Sequence, residues 1–117
     1  FSKATAEFVG TFVLMTAFTN VTVNSSPLGA LAVASSLMVS IYALGAVSGA
    51  HFNPAVSIAM TVMTCLKWPG INFGCADLVV YLISQLSGAA CGALVNTQIW
   101  IPHGLPAVSA LNPNVLR

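Results

Sequence analysis

The sequence predicts an all-α transmembrane fold of three membrane-spanning helices plus one re-entrant half-helix. Three observations carry that expectation. Charged residues make up 4% of the 117-residue chain and hydrophobic residues 57%. A soluble domain has about a quarter charged residues, so this chain lacks the material for a water-facing surface. Three separate stretches reach the roughly 20 apolar residues that a bilayer crossing needs. A fourth apolar run is too short for that and follows a cluster of Gly, His, Asn and Pro.

The first span is Ala4 to Val23 (4–23), with Glu7 as its only charge. Its apolar stretch is too long for a cleaved signal peptide and lacks a clear small-residue cleavage site, so it belongs to the fold. Asn24-Ser25-Ser26-Pro27 reads as a tight polar turn. The second span, Leu28 to Val47 (28–47), has no charge at all. Then comes "SGAHFNPAVSIAM", Ser48 to Met60, whose apolar run continues from Ala55 to Leu66. A helix of that length rises only about 18 Å, against a hydrocarbon core of about 30 Å. Non-helical backbone and a short helix at membrane depth indicate a segment that dips in and returns, over about 48–66. The third span, Ala76 to Ile99 (76–99), follows Trp68-Pro69-Gly70 and has Asp77 at its start. A polar, Pro-rich tail occupies 100–117. The whole of 1–117 reads as a single membrane domain. Because the chain starts at Phe1 rather than Met and stops within that tail, a fragment of a longer protein is expected.

Sidedness follows from the basic residues. If the short run returns to its own side, Lys3 and Lys67 face the same compartment, which the positive-inside rule makes the cytoplasm. The 24–27 turn and the 100–117 tail then face outward.

Asn53-Pro54-Ala55 has the chemistry of a helix start. Asn is a favoured N-cap, and Pro is favoured in the first turn, where its missing N–H costs nothing. A helix start leaves unpaired N–H groups and a positive dipole end. Beside a water-filled cavity these groups bind water or a hydroxyl and disfavour cations. Gly49 and Ala50 let the descending backbone pass close to its neighbours. Two readings of Asn53 stand at this point: a cap on a buried helix, or an amide lining a pore. His51 likewise reads as a satisfied structural residue or as a pore-facing one. Glu7, an ionisable residue in a span, is a functional candidate by default.

"SGAHFNPAVS" resembles the signature of the aquaporins, the major intrinsic protein family. "AEFVGTF", Ala6 to Phe12, is similar to that family's first helix, and "YLISQLSGA", Tyr81 to Ala89, to its third. The resemblance covers nearly the whole chain but only the first half of a family member. It implies half of an aquaporin-like inverted-repeat bundle, in which two Asn-Pro-Ala motifs meet at the midplane. It implies that Gly49, Ala50, His51, Asn53, Pro54 and Ala55 line a pore, with His51 near the cytoplasmic mouth. Glu7 and Gln85 become buried groups that hold the loop. It implies a homotetramer in the lipid bilayer, with water or a small neutral solute as the partner, in the plasma membrane or an internal membrane. Counted back without gaps from Asn-Pro-Ala, Val33 stands where strict water channels carry an aromatic at the outer constriction. That departure argues against a tight water-only filter. Asp77 departs too, standing where many members carry a basic residue.

Several classes are disfavoured. A net charge of +1 gives no basis for nucleic-acid binding. Cys65, Cys75 and Cys91 show no metal-ligand spacing, so no metal or cofactor is expected. No nucleophile–base pair, phosphate loop or paired carboxylates suggest an enzyme. Asn112-Pro113-Asn114 lacks the Ala and the following apolar run, and reads as a turn. Asn24-Ser25-Ser26 is formally a glycosylation sequon, with Pro27 and the membrane against its use. The pairs Gly45/Gly49, Gly88/Gly92 and Ala6/Gly10 fit the small-residue spacing for close helix contact within the bundle. The sequence therefore predicts a passive channel for water or small uncharged solutes, glycerol among them, that excludes ions. Half of a secondary transporter with broken helices and a non-conducting structural protein are the alternatives.

Overall fold

The computed structural model describes residues 2–24 and 27–100. Most of the expected 100–117 loop, the Asn112-Pro113-Asn114 run and the serines of the Asn24-Ser25-Ser26 sequon lie outside them.

Four α-helices make up the described chain: α1 Lys3–Asn24, α2 Gly29–Ser48, α3 Pro54–Cys65 and α4 Cys75–Trp100. The fold is all-α, and α1, α2 and α4 are long and apolar enough to cross a membrane. Helix α1 begins ahead of Ala4 because Ser2 caps it: its hydroxyl accepts the Thr5 N–H at 3.2 Å. Helix α3 has 12 residues, about 18 Å of rise.

Packing is organised around α1, which lies against both α2 and α4, while α3 lies against α4. The interior is unusually polar. Glu7, Ser57, Gln85 and Asn96 are among the largest fully buried side chains, whereas Leu31, Met38, Val39 and Tyr42 of α2 are exposed. This is the reverse of a soluble bundle. Apolar side chains pointing outward match a hydrocarbon solvent, and buried polar groups join the helices.

The face of α4 that meets α1 carries Tyr81, Gln85, Gly88, Gly92 and Asn96, at helical spacing. A Cβ at Gly92 would stand 2.8 Å from the Phe12 carbonyl oxygen, and one at Gly88 would collide with that of Phe8. Asn96 donates to the Thr16 carbonyl at 3.1 Å. The partners advance along both helices together, so α1 and α4 run parallel with their backbones in contact. The Gly45/Gly49 pair behaves differently from the expected helix contact. Gly49 has φ +85° and ends α2 as a left-handed cap, donating its N–H to the Gly45 carbonyl.

Helix α3 ends in a Schellman motif, with Lys67 N–H to Thr64 O and Trp68 N–H to Met63 O, both at 3.0 Å. Lys67 holds φ 56° there, a conformation that costs an L-residue roughly 1–2 kcal/mol. Lys67→Gly should therefore stabilise the full-length protein by about 1 kcal/mol and raise its melting temperature in detergent. A lowered melting temperature would mean that the lysine side chain contributes more than the strain costs.

Candidate functional site

The segment between α2 and α3 is short and strained. Gly49, Ala50 and Phe52 have φ values of 85°, 52° and 47°. Ala50 and Phe52 are not glycine, so each costs on the order of 1–2 kcal/mol in this conformation. Such a loop persists only where its surroundings hold it.

Glu7 does much of the holding. Its Oε1 accepts from the Ser48 hydroxyl at 2.6 Å and the His51 N–H at 3.0 Å. Its Oε2 accepts from the Phe52 N–H at 2.7 Å and Gln85 Nε2 at 2.8 Å. Four donors thus converge on one fully buried carboxylate. Hydrogen bonds to a charged group contribute about 1.5–3 kcal/mol each, enough together to outweigh the strain. The Phe52 ring occupies the space left by the bare Gly10 backbone on α1. Tyr81 donates its hydroxyl to the Ser48 carbonyl at 2.6 Å, which secures the end of α2.

Held in this way, the loop delivers Asn53 to the start of α3. Asn53 is extended, with φ −154°, and its side chain caps the helix. Oδ1 accepts the Ala55 N–H at 2.9 Å, and Pro54 fills the first turn. With Oδ1 engaged, Nδ2 is the outward end of the amide. It has no partner among the described residues, and Asn53 is exposed. Gly49 and Ala55 are exposed, Ala50 and Pro54 half-buried.

His51 is buried. Its Nδ1 lies 3.0 Å from Ser57 Oγ. Its ring packs against Phe73 and Tyr81, with centroids 4.8 and 5.1 Å away. It also borders a cavity of about 300 Å³ shared with Lys3, Ser48, Gly49, Asn72 and Tyr81. The structure thus brings Glu7, Gln85, His51 and the Asn53 loop into one connected network. Val33 is not part of it. It lies on α2, half-buried, about 22 Å of helix before Ser48. Asp77 stands in the first turn of α4, a favourable place for a negative charge. Among the described residues, no cluster of His, Cys, Asp or Glu could hold a metal ion.

Sequence reasoning missed Ser48, Phe52, Ser57, Phe73 and Tyr81. Tyr81 was available, since it precedes Gln85 by one turn and shares its face. Ser57 was available in the same way, one turn after Asn53. Phe73 lies in an irregular loop, and no local pattern places it against His51.

The major intrinsic protein family model matches residues 1–115. The chain is 34% identical over 103 residues to Aquaporin Z of Photorhabdus laumondii, covering 80% of this chain and 41% of that protein. It is 38% identical over 90 residues to glycerol uptake facilitator protein-like 6 of Lactiplantibacillus plantarum, covering 74% and 38%. It is 43% identical over 68 residues to Aquaporin AqpM of Methanothermobacter marburgensis, covering 58% and 25%. The match therefore spans less than half the length of each of these relatives. No solved structure matches. The family match across the chain, together with three helices able to cross a bilayer, makes this an integral membrane protein that belongs to the major intrinsic protein family.

Proposed function

We propose that the chain is the first repeat of a passive channel for water or small uncharged solutes such as glycerol, one that excludes ions. The observation that carries this reading is the start of α3. A strained loop, anchored from behind by Glu7, presents an unengaged Asn53 Nδ2 and the positive end of a half-helix. Donors and a positive dipole end suit an oxygen-bearing neutral solute and repel cations. Gly49, Ala50, His51, Pro54 and Ala55 form the adjoining wall, and Glu7 with Gln85 braces it. Relatives named as aquaporins and as a glycerol uptake facilitator support the same solute classes. The secondary-transporter alternative needs an exchangeable coupling group, whereas Glu7 is saturated by four donors. In the full-length protein the second repeat completes the tube, four copies assemble, and Lys3 and Lys67 face the cytoplasm.

Osmotic swelling of proteoliposomes carrying the full-length protein tests this. Water or glycerol flux that does not depend on an ion gradient is expected. Flux that requires such a gradient would overturn it, as would none at all. The Val33 position bears on solute size. If it faces the outer constriction, Val33→Phe narrows the pore by about an angstrom or two. Glycerol flux should then fall more than water flux, measured per folded channel. An unchanged ratio would place Val33 outside the pathway.

A further inference from the structure

We propose that a buried hydrogen-bond relay locks His51 in its Nε2–H tautomer, making the imidazole a fixed donor toward the cavity, with Gln85 and Ser57 as the positioning residues. The relay begins at Glu7. Gln85 Nε2 lies 2.8 Å from Glu7 Oε2 and 2.9 Å from Ser57 Oγ. Reversing the amide would set its oxygen against a carboxylate oxygen and the serine, so the nitrogen must face them. The orphaned end of the same amide records this constraint. Gln85 Oε1 is buried and has no partner among the described residues, an arrangement that reversal would relieve only at greater cost.

The direction then propagates. Ser57 Oγ accepts a hydrogen bond from Gln85 and must direct its own hydrogen elsewhere. Among the described residues the Ser57 hydroxyl has one other hydrogen-bond partner, His51 Nδ1 at 3.0 Å. Nδ1 therefore accepts, and a neutral imidazole that accepts at Nδ1 carries its proton on Nε2. The ring cannot turn to exchange its two edges, because Phe73 and Tyr81 pack against it at 4.8 and 5.1 Å. Tyr81 is itself tied to the Ser48 carbonyl.

The proton-bearing edge faces the open side. His51 Nε2 is beside Gly49, the exposed left-handed cap, where an added Cβ would stand 3.5 Å from it. His51 and Gly49 both border the cavity of about 300 Å³, and Nε2 has no hydrogen-bond partner among the described residues. Two donors, His51 Nε2–H and Asn53 Nδ2, thus flank one strained turn. This rests on the pathway reading above and narrows it. A solute passing this turn is gripped through its lone pairs, so hydroxyl and carbonyl compounds are favoured over ammonium-type ones.

The test is the ¹⁵N spectrum of histidine-labelled full-length protein in lipid bilayers, in which the two ring nitrogens report which one is protonated. His51 signals are assigned by their loss in His51→Gln. At neutral pH the Nε2–H form should exceed the other by roughly tenfold, the ratio that about one hydrogen bond sets. In Ser57→Ala that excess should shrink to a few-fold or less while the fold is retained. A wild-type spectrum showing the Nδ1–H form, an imidazolium or an even mixture would overturn the proposal, whatever the variant does. An unshifted ratio in Ser57→Ala would also overturn it. A protein that fails to conduct but shows the Nε2–H form would defeat the channel reading and leave the relay standing.

Discussion

Glu7→Gln should unfold the re-entrant loop from within. Each carboxylate oxygen accepts two donors, and a carboxamide can replace only one oxygen's worth of acceptance. Its NH₂ does least harm beside Ser48, whose hydroxyl can turn to accept. Even then the His51 N–H faces another donor. A buried donor left without a partner costs about 1–3 kcal/mol, and the remaining bonds lose their charge assistance. The strain at Ala50 and Phe52 is no longer opposed in full. A total loss of roughly 2–4 kcal/mol follows from those terms. Two measurements apply to the full-length variant: its unfolding midpoint in detergent, and hydrogen exchange at the His51 and Phe52 amides. Exchange should accelerate by about a hundredfold. Amides that exchange as slowly as in the wild type would show that Glu7 does not hold the loop.

Gly88→Ala should be at least as damaging, by a different route. A methyl group there meets the Phe8 carbonyl, with Phe8 C at 3.2 Å and Phe12 N at 3.3 Å. These are backbone atoms of a parallel helix and cannot swing aside, so α1 and α4 must separate. Overpacking typically costs 1–3 kcal/mol, and a rigid backbone partner puts this site at or above about 3 kcal/mol. Separation would also draw Gln85 away from Glu7. Gly74→Ala is the matched control, since its nearest neighbour would be Asp77 Oδ2 at 3.9 Å. Folded yield should collapse for Gly88→Ala and stay near wild type for Gly74→Ala. Equal yields would show that the close approach of the helices is not required.

The fold was legible because lipid makes simple demands. Length and the scarcity of charge define Ala4–Val23, Leu28–Val47 and Ala76–Ile99 as helices, since only a helix satisfies its own backbone there. The Asn53-Pro54 start was legible for the same local reasons that make it a cap. What sequence could not supply was aim. Gly49 was read with Gly45 as a packing pair, yet it is a left-handed cap, because spacing says nothing about φ. The contact of Phe73 with His51 depends on how an irregular loop folds back. The inward direction of the Gln85 amide, and the placing of the loop that carries Asn53, depend on partners tens of residues away. Those directions decide what the site can do chemically.

The distance in sequence between Glu7 and its partners bears on how the protein is made. Gln85 lies 78 residues beyond Glu7 and the Phe52 amide 45 beyond it. At a synthesis rate of roughly 5–20 residues per second, about 4–16 s separate the appearance of the carboxylate and of its last donor. For the first 41 of those residues the carboxylate has none of its four donors, a costly state for an ionisable group in lipid. Glu7 is in the second turn of α1, so the headgroup region is within its reach while it waits. Three of the four donors precede α3, so the loop can close on Glu7 once Phe52 has been made, and Gln85 of α4 completes the set last.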